Sequence, residues 1–331
     1  MTLMRDTSLS WQKNLAQGFS SVAELLKYLE LPLSLGSLLA EKQFSSRIPL
    51  GFAKRMQKRN PNDPLLLQVL ATATELEIND GYEADPLHER ESNPLKGLIH
   101  KYHGRVLLTL TGVCAVNCRF CFRRHFPYQE NNPGRNGFKD IAEYIAKDTS
   151  ITEVILSGGD PLLASDLVLA ELIQQLEQIP HVHTLRFHTR IPVVFPERVD
   201  QDFLATLATT KLQKVIVVHS NHPQELADDS VLQAFQQLRQ LGCHLLNQSV
   251  LLAGINDDAA VLAELSQSLF RLGVIPYYLH ILDKVNGAAH FDLPFTKVQA
   301  IYQQLQKLVP GYLLPRLACE EPGKLSKTLL I

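Results

Sequence analysis

Three cysteines, Cys114, Cys118 and Cys121, lie within a single short stretch of the chain. This spacing allows one loop to direct three thiolates at a common centre. Thiolates are the usual ligands of iron–sulfur clusters, which normally take four. A loop that supplies three leaves one iron of a four-iron cluster open, and an open iron can bind a small molecule. The stretch therefore predicts a [4Fe-4S] cluster that takes part in chemistry.

A closed zinc site is the alternative explanation for the same stretch. His125 follows Cys121 by four residues, so the three cysteines and this histidine match a Cys3His set. Zinc sites usually pair their ligands in two separated knuckles, which this stretch lacks. The cysteines alone favour the cluster and leave zinc open.

The composition restricts the class of protein. The chain has 331 residues, 45% of them hydrophobic, which suffices for one large domain or a domain with an extension. A formal net charge of -2 gives no basic field for nucleic acid. Five cysteines, three of them in one loop, do not resemble a disulfide framework. With no apolar run of signal-peptide or membrane-spanning type, we expect a cytoplasmic protein without a membrane partner.

An alternation of strands and helices must position the cysteines. Up to about residue 100 the pattern indicates helical and connecting segments, and from Arg105 apolar β-branched runs alternate with amphipathic ones. Parallel strands need crossover helices, so the pattern predicts an α/β fold with a parallel sheet, either open or a partial barrel. The predicted strands are 106–110, 153–156, 184–187, 214–218, 245–252 and 274–282, and the helices between and after them are 139–147, 166–178, 201–208, 223–241, 257–272 and 296–308.

Polar residues recur where the predicted strands end, which is where ligands gather in parallel sheets. The cysteine loop follows the first strand, and the others are followed or closed by 157–161 (SGGDP), 188–192 (HTRIP), 219–223 (HSNHP), Asn247 with Gln248, and His280 with Asp283. Taken one at a time, these segments have simpler explanations: the glycines fit an ordinary turn, and a lone histidine is usually structural. Four arginines near these ends suit carboxylate or phosphate binding, unless they are solvated surface charges. They are Arg105, Arg123, Arg124 and Arg190.

Taken in order, these segments resemble the radical S-adenosylmethionine (radical SAM) enzymes and, within them, the lysine 2,3-aminomutase family. The resemblance spans nearly the whole chain and implies a radical SAM partial (β/α)6 barrel. It divides the chain into a mainly helical extension (1–100), the barrel (101–309) and a short segment with a cofactor-binding lysine (310–331). The strings that carry it are 60–64 (NPNDP), 114–128 (CAVNCRFCFRRHFPY), 155–162 (ILSGGDPL), 189–196 (TRIPVVFP), 219–223 (HSNHP), 247–257 (NQSVLLAGIND), 277–283 (YYLHILD) and 326–328 (SKT).

The resemblance implies three cofactors: the [4Fe-4S] cluster on Cys114, Cys118 and Cys121, S-adenosylmethionine, and pyridoxal 5′-phosphate (PLP). It assigns PLP to Lys327, with Lys324 as the competitor that lacks a following threonine. It places Ser157, Gly158, Gly159, Asp160, His219 and Gln248 around S-adenosylmethionine. Arg105, Arg190 and Lys101 are implied partners of the PLP phosphate. Arg123 is implied for the substrate carboxylate, and Asp283 and Glu320 for its distal ammonium.

The implied reaction moves the amino group of L-α-lysine from C2 to C3 and gives (R)-β-lysine. A 5′-deoxyadenosyl radical starts it by removing a hydrogen from the β-carbon, and PLP carries the nitrogen. The end of the sequence soon after Lys327 favours the short members that serve β-lysylation of elongation factor P with its lysine ligase. The alternative within enzymes is a free-lysine aminomutase of lysine metabolism. An alternative function of a different class is a zinc- or cluster-stabilised RNA-binding or RNA-modifying module. A flavodoxin or ferredoxin as electron donor and a homo-oligomer are further expectations.

Overall fold

The computed structural model describes residues 8–330, and a mostly parallel sheet organises them. Within this range nine strands lie side by side in the order of the chain, from β1 to β9. The strands are β1 (Leu98–Tyr102), β2 (Arg105–Thr111), β3 (Glu153–Gly158), β4 (Thr184–Thr189), β5 (Gln213–His219), β6 (His244–Val250), β7 (Ile275–His280), β8 (Arg316–Cys319) and β9 (Thr328–Leu329).

Strands β2 to β8 run parallel to one another, whereas β1 pairs antiparallel with β2 and β9 pairs antiparallel with β8 at the two edges. The sheet is therefore open, as a partial barrel requires, and the predicted α/β fold with a parallel sheet is confirmed. The six predicted strands correspond to β2 to β7. The pattern did not predict the seventh parallel strand, β8, whose four residues are too few to show a period.

Helices connect the strands and also form much of the segment before β1. The helices between strands agree closely with the predicted ones, except that residues 223–241 divide into a short 3₁₀ turn and α10. The helices are α1 (Ser8–Leu15), α2 (Val22–Tyr28), α3 (Leu38–Gln43), α4 (Leu50–Lys54), α5 (Pro64–Leu67), α6 (Gly137–Lys147), α7 (Asp166–Glu177), α8 (Ile191–Val194), α9 (Gln201–Ala208), α10 (Asp229–Gln240), α11 (Ala259–Arg271) and α12 (Phe295–Leu308).

The segment before β1 shares the core of the sheet. Leu25 of α2 and Phe52 of α4 belong to the same buried apolar cluster as Val106 of β2, Leu156 of β3 and Leu169 of α7. Burial of apolar side chains is the main favourable term in folding, so this shared core holds the N-terminal helices on the strands. The helices before β1 are therefore part of the same folded core as the sheet.

A second apolar cluster holds the last parallel strand in place. Leu317 of β8 packs with Leu279 of β7, Leu262 of α11 and Leu305 of α12. This packing extends the sheet beyond the six predicted strands. It also carries the hairpin between β8 and β9 to the sheet edge, with Cys319 paired opposite Thr328.

Buried ion pairs connect the N-terminal segment with the cysteine loop. Glu75 accepts hydrogen bonds from Arg119 Nε (2.9 Å), Arg119 Nη2 (2.6 Å) and Arg124 Nη2 (2.7 Å). Removal of one partner from such a buried pair leaves an uncompensated charge, which makes the contact specific.

None of the helices in residues 8–330 is long and apolar enough to span a membrane.

Candidate functional site

A cavity of about 760 Å³ is lined by residues from eight strands of the sheet, β1 to β7 and β9, and from the loops between them. Its size falls within the range of small-molecule sites, roughly 300–1,000 Å³. Arg124, which the sequence offered as an anion-binding candidate, is ion-paired with Glu75 and does not line this cavity. The structure brings to the cavity every residue that the resemblance assigned to a cofactor or the substrate. They are Lys101, Arg105, Cys114, Cys118, Cys121, Arg123, Ser157, Gly158, Gly159, Asp160, Arg190, His219, Gln248, Asp283, Glu320 and Lys327.

The cysteine loop presents three free thiols to the cavity. The backbone N–H of Cys121 donates to the carbonyl of Cys118 at 3.1 Å, which closes the turn between them. Burial and the neighbouring Cys118 raise the pKa of Cys121 to about 11, and burial also raises that of Cys114. A bound cation reverses this effect, because a coordinated thiol loses its proton. The donor set suits iron, and the three sulfurs come from one loop, as the open-cluster hypothesis requires.

His125 does not join the three cysteines. Its Nε2 lies 3.3 Å from the carbonyl oxygen of Asn286, and the ring lines a small separate pocket beside Phe126. Among residues 8–330, no three His, Cys, Asp or Glu side chains are grouped tightly enough for a single metal ion. The structure thus gives the Cys3His zinc alternative no geometric support.

The two glycines after β3 are required by the backbone around them. Gly158 has φ +113°, and a Cβ there would lie 2.5 Å from the carbonyl oxygen of Thr111. A Cβ on Gly159 would lie 2.4 Å from the carbonyl oxygen of Val113. Backbone atoms cannot move aside as a flexible side chain can, so only glycine fits at both positions. The turn can therefore pack against the beginning of the cysteine loop.

Asp160 is committed to contacts within the protein. Its carboxylate accepts hydrogen bonds from the backbone N–H of Leu162 (3.1 Å) and Arg190 (2.8 Å) and from the hydroxyl of Thr189 (2.7 Å). Burial raises its pKa to about 6, and these donors act in the opposite direction. Asp160 therefore joins the loop after β3 to the loop after β4, where Arg190 lies.

Arg190 points toward the cysteine loop. Its Nη1 lies 2.8 Å from Sγ of Cys118, while Nη2 donates to Glu225 Oε2 at 2.6 Å and to Gln68 Oε1 at 3.1 Å. Glu225 and Gln68 are themselves buried, and neither was identified from the sequence. These contacts favour a role beside the cysteines over the expected role at the PLP phosphate.

Arg123 is held by an acid that the sequence did not reveal. Its Nε and Nη2 each donate to Glu89 at 2.7 Å, and Nη1 donates to Ser157 Oγ at 2.9 Å. Burial opposes the charge, but Glu89 holds the pKa of Arg123 above its usual range. A guanidinium has five N–H groups, so two remain for a ligand in the cavity. Glu89 lies in a turn before β1, and no sequence pattern connects it with Arg123.

Lys327 faces Glu320 across the hairpin between β8 and β9. Nζ of Lys327 lies 2.7 Å from Glu320 Oε2, and Nζ of Lys101 lies 3.0 Å from Oε1. Burial opposes the charge of Glu320, but the two ammonium groups hold its pKa well below the usual range. Lys324 is exposed and does not line the cavity. The structure therefore favours Lys327 over Lys324 as the amine that a ligand in the cavity would meet.

Asp283 follows β7 and lines the cavity near the same hairpin. Burial and the nearby Glu320 raise its pKa to about 7, against the effect of Lys327. In the described part of the chain no side chain lies within hydrogen-bond or ion-pair distance of its carboxylate. A carboxylate in this setting is a ready partner for a ligand's ammonium group.

Three pairs of side chains complete the walls of the cavity. Gln248 Nε2 lies 2.8 Å from His219 Nε2, and burial lowers the pKa of His219 to about 3, so its ring is neutral. Arg105 lies over the ring of Tyr102 at 4.7 Å and has no acidic partner among residues 8–330. Arg186, which the sequence analysis did not single out, also lines the cavity and is ion-paired with Glu153. Arg105 and Arg186 add positive charge to the cavity wall, which suits an anionic ligand.

Comparison with known proteins identifies the family. The model of the Radical SAM superfamily matches residues 108–265. The L-lysine 2,3-aminomutases of Haemophilus influenzae and Escherichia coli are 48% and 46% identical over 97% and 100% of this chain, which covers 95% and 97% of their lengths. The L-lysine 2,3-aminomutase of Clostridium subterminale is 36% identical over 96% of this chain and 77% of its own length. The chain therefore belongs to the lysine 2,3-aminomutase family of radical SAM enzymes.

Proposed function

We propose that this protein is an isomerase that converts L-α-lysine to (R)-β-lysine. The observation that carries the proposal is that Lys327 and the three cysteines line one cavity. The reaction needs an amine that can hold PLP within reach of a radical source. Similarity to proteins named L-lysine 2,3-aminomutase over almost the whole chain supports the same activity.

The residues around the cavity fit the three cofactors. Cys114, Cys118 and Cys121 would hold the cluster, and Lys327 would hold PLP with Arg105 at its phosphate. Residues 157–160, His219 and Gln248 would surround S-adenosylmethionine. When bound, the cluster and S-adenosylmethionine supply a hydrogen-abstracting radical, and PLP carries the migrating amino group. The protein contributes orientation and a shielded cavity.

The charges along the cavity fit a long substrate with a carboxylate and a distal cation. Arg123 has two N–H groups left for the carboxylate, and Glu89 fixes its guanidinium in place. Asp283 and Glu320 offer carboxylates for the ammonium. Because the positive and negative groups belong to different elements of the fold, they would fix both ends of lysine and hold its β-carbon in one place.

We further propose that the product serves the β-lysylation of elongation factor P, through its lysine ligase and with a flavodoxin or ferredoxin as electron donor. The loop 322–326 (PGKLS) supports this role, since the resemblance gives the longer catabolic members a glycine-rich loop at this place. The test is an anaerobic assay of the cluster-loaded protein with free lysine and, separately, with lysylated elongation factor P. Formation of β-lysine from either substrate supports the aminomutase, and comparison of the two rates selects the substrate. No β-lysine from either, in a protein that holds cluster and PLP and is supplied with S-adenosylmethionine and a low-potential reductant, would refute it.

Asp283 provides a prediction about substrate binding. Replacement of Asp283 by Asn should raise KM for lysine about tenfold, the usual cost of a lost hydrogen bond to a charged group. KM for an analogue that lacks the ε-amine should change little. Equal effects on both substrates would remove Asp283 from the ammonium site.

The raised pKa of Asp283 also predicts a pH dependence. Acidification through about pH 7 neutralises this carboxylate, so lysine binding should weaken below that pH and strengthen above it. Glu320, Lys327, Glu89 and Lys101 also influence this carboxylate. The Asn variant is the control, since its KM should lose this step between about pH 6 and pH 8.

A further inference from the structure

Arg190 lies against a cysteine that the proposed function assigns to the cluster. Its Nη1 is 2.8 Å from Sγ of Cys118, and the residue is only 7% exposed. The rings of Phe52 and Phe120 lie near the same guanidinium, with their centroids 5.8 and 6.0 Å from its central carbon. Burial in these surroundings excludes water, so the contact with sulfur acts at a low local dielectric.

The surroundings of Arg190 fix its orientation. Nη2 donates to Glu225 Oε2 at 2.6 Å and to Gln68 Oε1 at 3.1 Å, and the backbone N–H donates to Asp160 Oδ2 at 2.8 Å. Asn221 holds both acceptors, through its backbone N–H to Glu225 at 2.7 Å and its side-chain amide to Gln68 at 3.0 Å. The guanidinium therefore cannot turn away from the cysteine loop without breaking several buried hydrogen bonds.

The Arg190–Glu225 pair is neutral as a whole, but its positive end faces the sulfur. Hydrogen bonds to the sulfurs, net charge and exposure set the reduction potential of an iron–sulfur cluster. A donor beside a ligand sulfur stabilises the reduced cluster more than the oxidised one, because reduction adds negative charge. The expected effect of this contact is a less negative potential.

We propose that Arg190 is a positioning residue that donates a hydrogen bond to the cluster ligand Cys118 and thereby makes the cluster easier to reduce. Asp160 contributes by accepting the hydrogen bond from the backbone N–H of Arg190. The turn 158–160 thus positions Arg190 in addition to packing its glycines against the cysteine loop. The inference rests on the proposed function for one point alone, that Cys118 binds a four-iron cluster. The reduction itself takes one electron from a low-potential donor protein.

The test is a redox titration of the cluster, followed by electron paramagnetic resonance, in the absence of S-adenosylmethionine. The variant is Arg190→Gln with Glu225→Gln, which removes the donor without leaving an unpaired buried acid. Its midpoint potential should be more negative than that of the wild type. At the wild-type midpoint, the ratio of reduced to oxidised cluster should fall several-fold. Arg190→Lys, which retains a cation, should recover part of the shift.

The strand that precedes Arg190 offers a matched control. Arg186, four residues earlier on β4, forms a second arginine–glutamate pair in the wall of the cavity, with Glu153. Arg186→Gln with Glu153→Gln makes the same change of charge away from the cysteine loop. Its potential should equal that of the wild type, while its iron content and thermal unfolding show whether either double variant has lost the fold.

An unchanged potential in the Arg190→Gln, Glu225→Gln protein with a full cluster would overturn the inference. So would a shift that appears only with S-adenosylmethionine bound, since Arg190 would then act on that molecule. An equal shift in the Arg186 control would also overturn it. If the wild-type protein holds no four-iron cluster after anaerobic reconstitution, the proposed function itself fails. The two failures are thus distinguishable.

Discussion

Replacement of Lys327 by Ala should reduce β-lysine formation to background. Lys327 lines the cavity and carries the amine that faces Glu320 at 2.7 Å, so its loss would remove the proposed attachment point for PLP. Treatment with borohydride should label the wild-type protein with reduced PLP and leave the variant unlabelled. Peptide mapping of the labelled wild type should place the modification on Lys327.

Lys324 is the matched control, because it is a lysine of the same hairpin that is exposed and lies outside the cavity. Lys324→Ala should keep both the label and the activity. The opposite result, with label lost from Lys324→Ala and kept in Lys327→Ala, would show that the assignment of the PLP lysine is wrong.

Replacement of Cys118 by Ser should abolish the cluster and all activity that depends on it. An iron–sulfur cluster is held by thiolates, and a serine hydroxyl is a poor substitute. After anaerobic reconstitution we expect the iron content and the visible absorbance of the variant to fall to background. Its PLP content should stay close to that of the wild type, since Lys327 is untouched.

Cys243 provides the control for this experiment. It is buried in the main apolar core and does not line the cavity. Cys243→Ser should lower the melting temperature without changing the iron content per folded chain. A variant Cys118→Ser that still binds four irons and makes β-lysine would refute the proposed ligand set.

The sequence predicted the parallel strands and the cavity edge because both depend on local patterns. Apolar runs indicated β2 to β7, and the polar residues after them indicated where ligands would gather. The spacing of the cysteines singled out their loop without any structure. Each of these signals lies within a short stretch of neighbouring residues, so it can be recognised from the sequence without knowledge of the tertiary structure.

The missing parts depend on contacts between residues far apart in the chain. Glu89 meets Arg123 only after the N-terminal segment packs onto the sheet, and Glu225 meets Arg190 across two different loops. Strand β8 forms because Leu317 packs with residues of β7, α11 and α12, which its own four residues do not reveal. Side-chain partners of this kind follow from tertiary packing, and no periodicity encodes them.

The double contact of Glu320 with Lys101 and Lys327 bears on how the site is loaded. If Lys327 holds PLP as proposed, Glu320 would lose one ammonium neighbour, and the ε-ammonium of an incoming lysine would supply another. Binding of the cofactor and then of lysine would replace one ammonium group beside Glu320 with another. The site would then admit the ε-ammonium without gaining a positive charge beside Glu320, whereas an uncharged side chain of similar length would leave Glu320 with one ammonium neighbour, that of Lys101, in place of two.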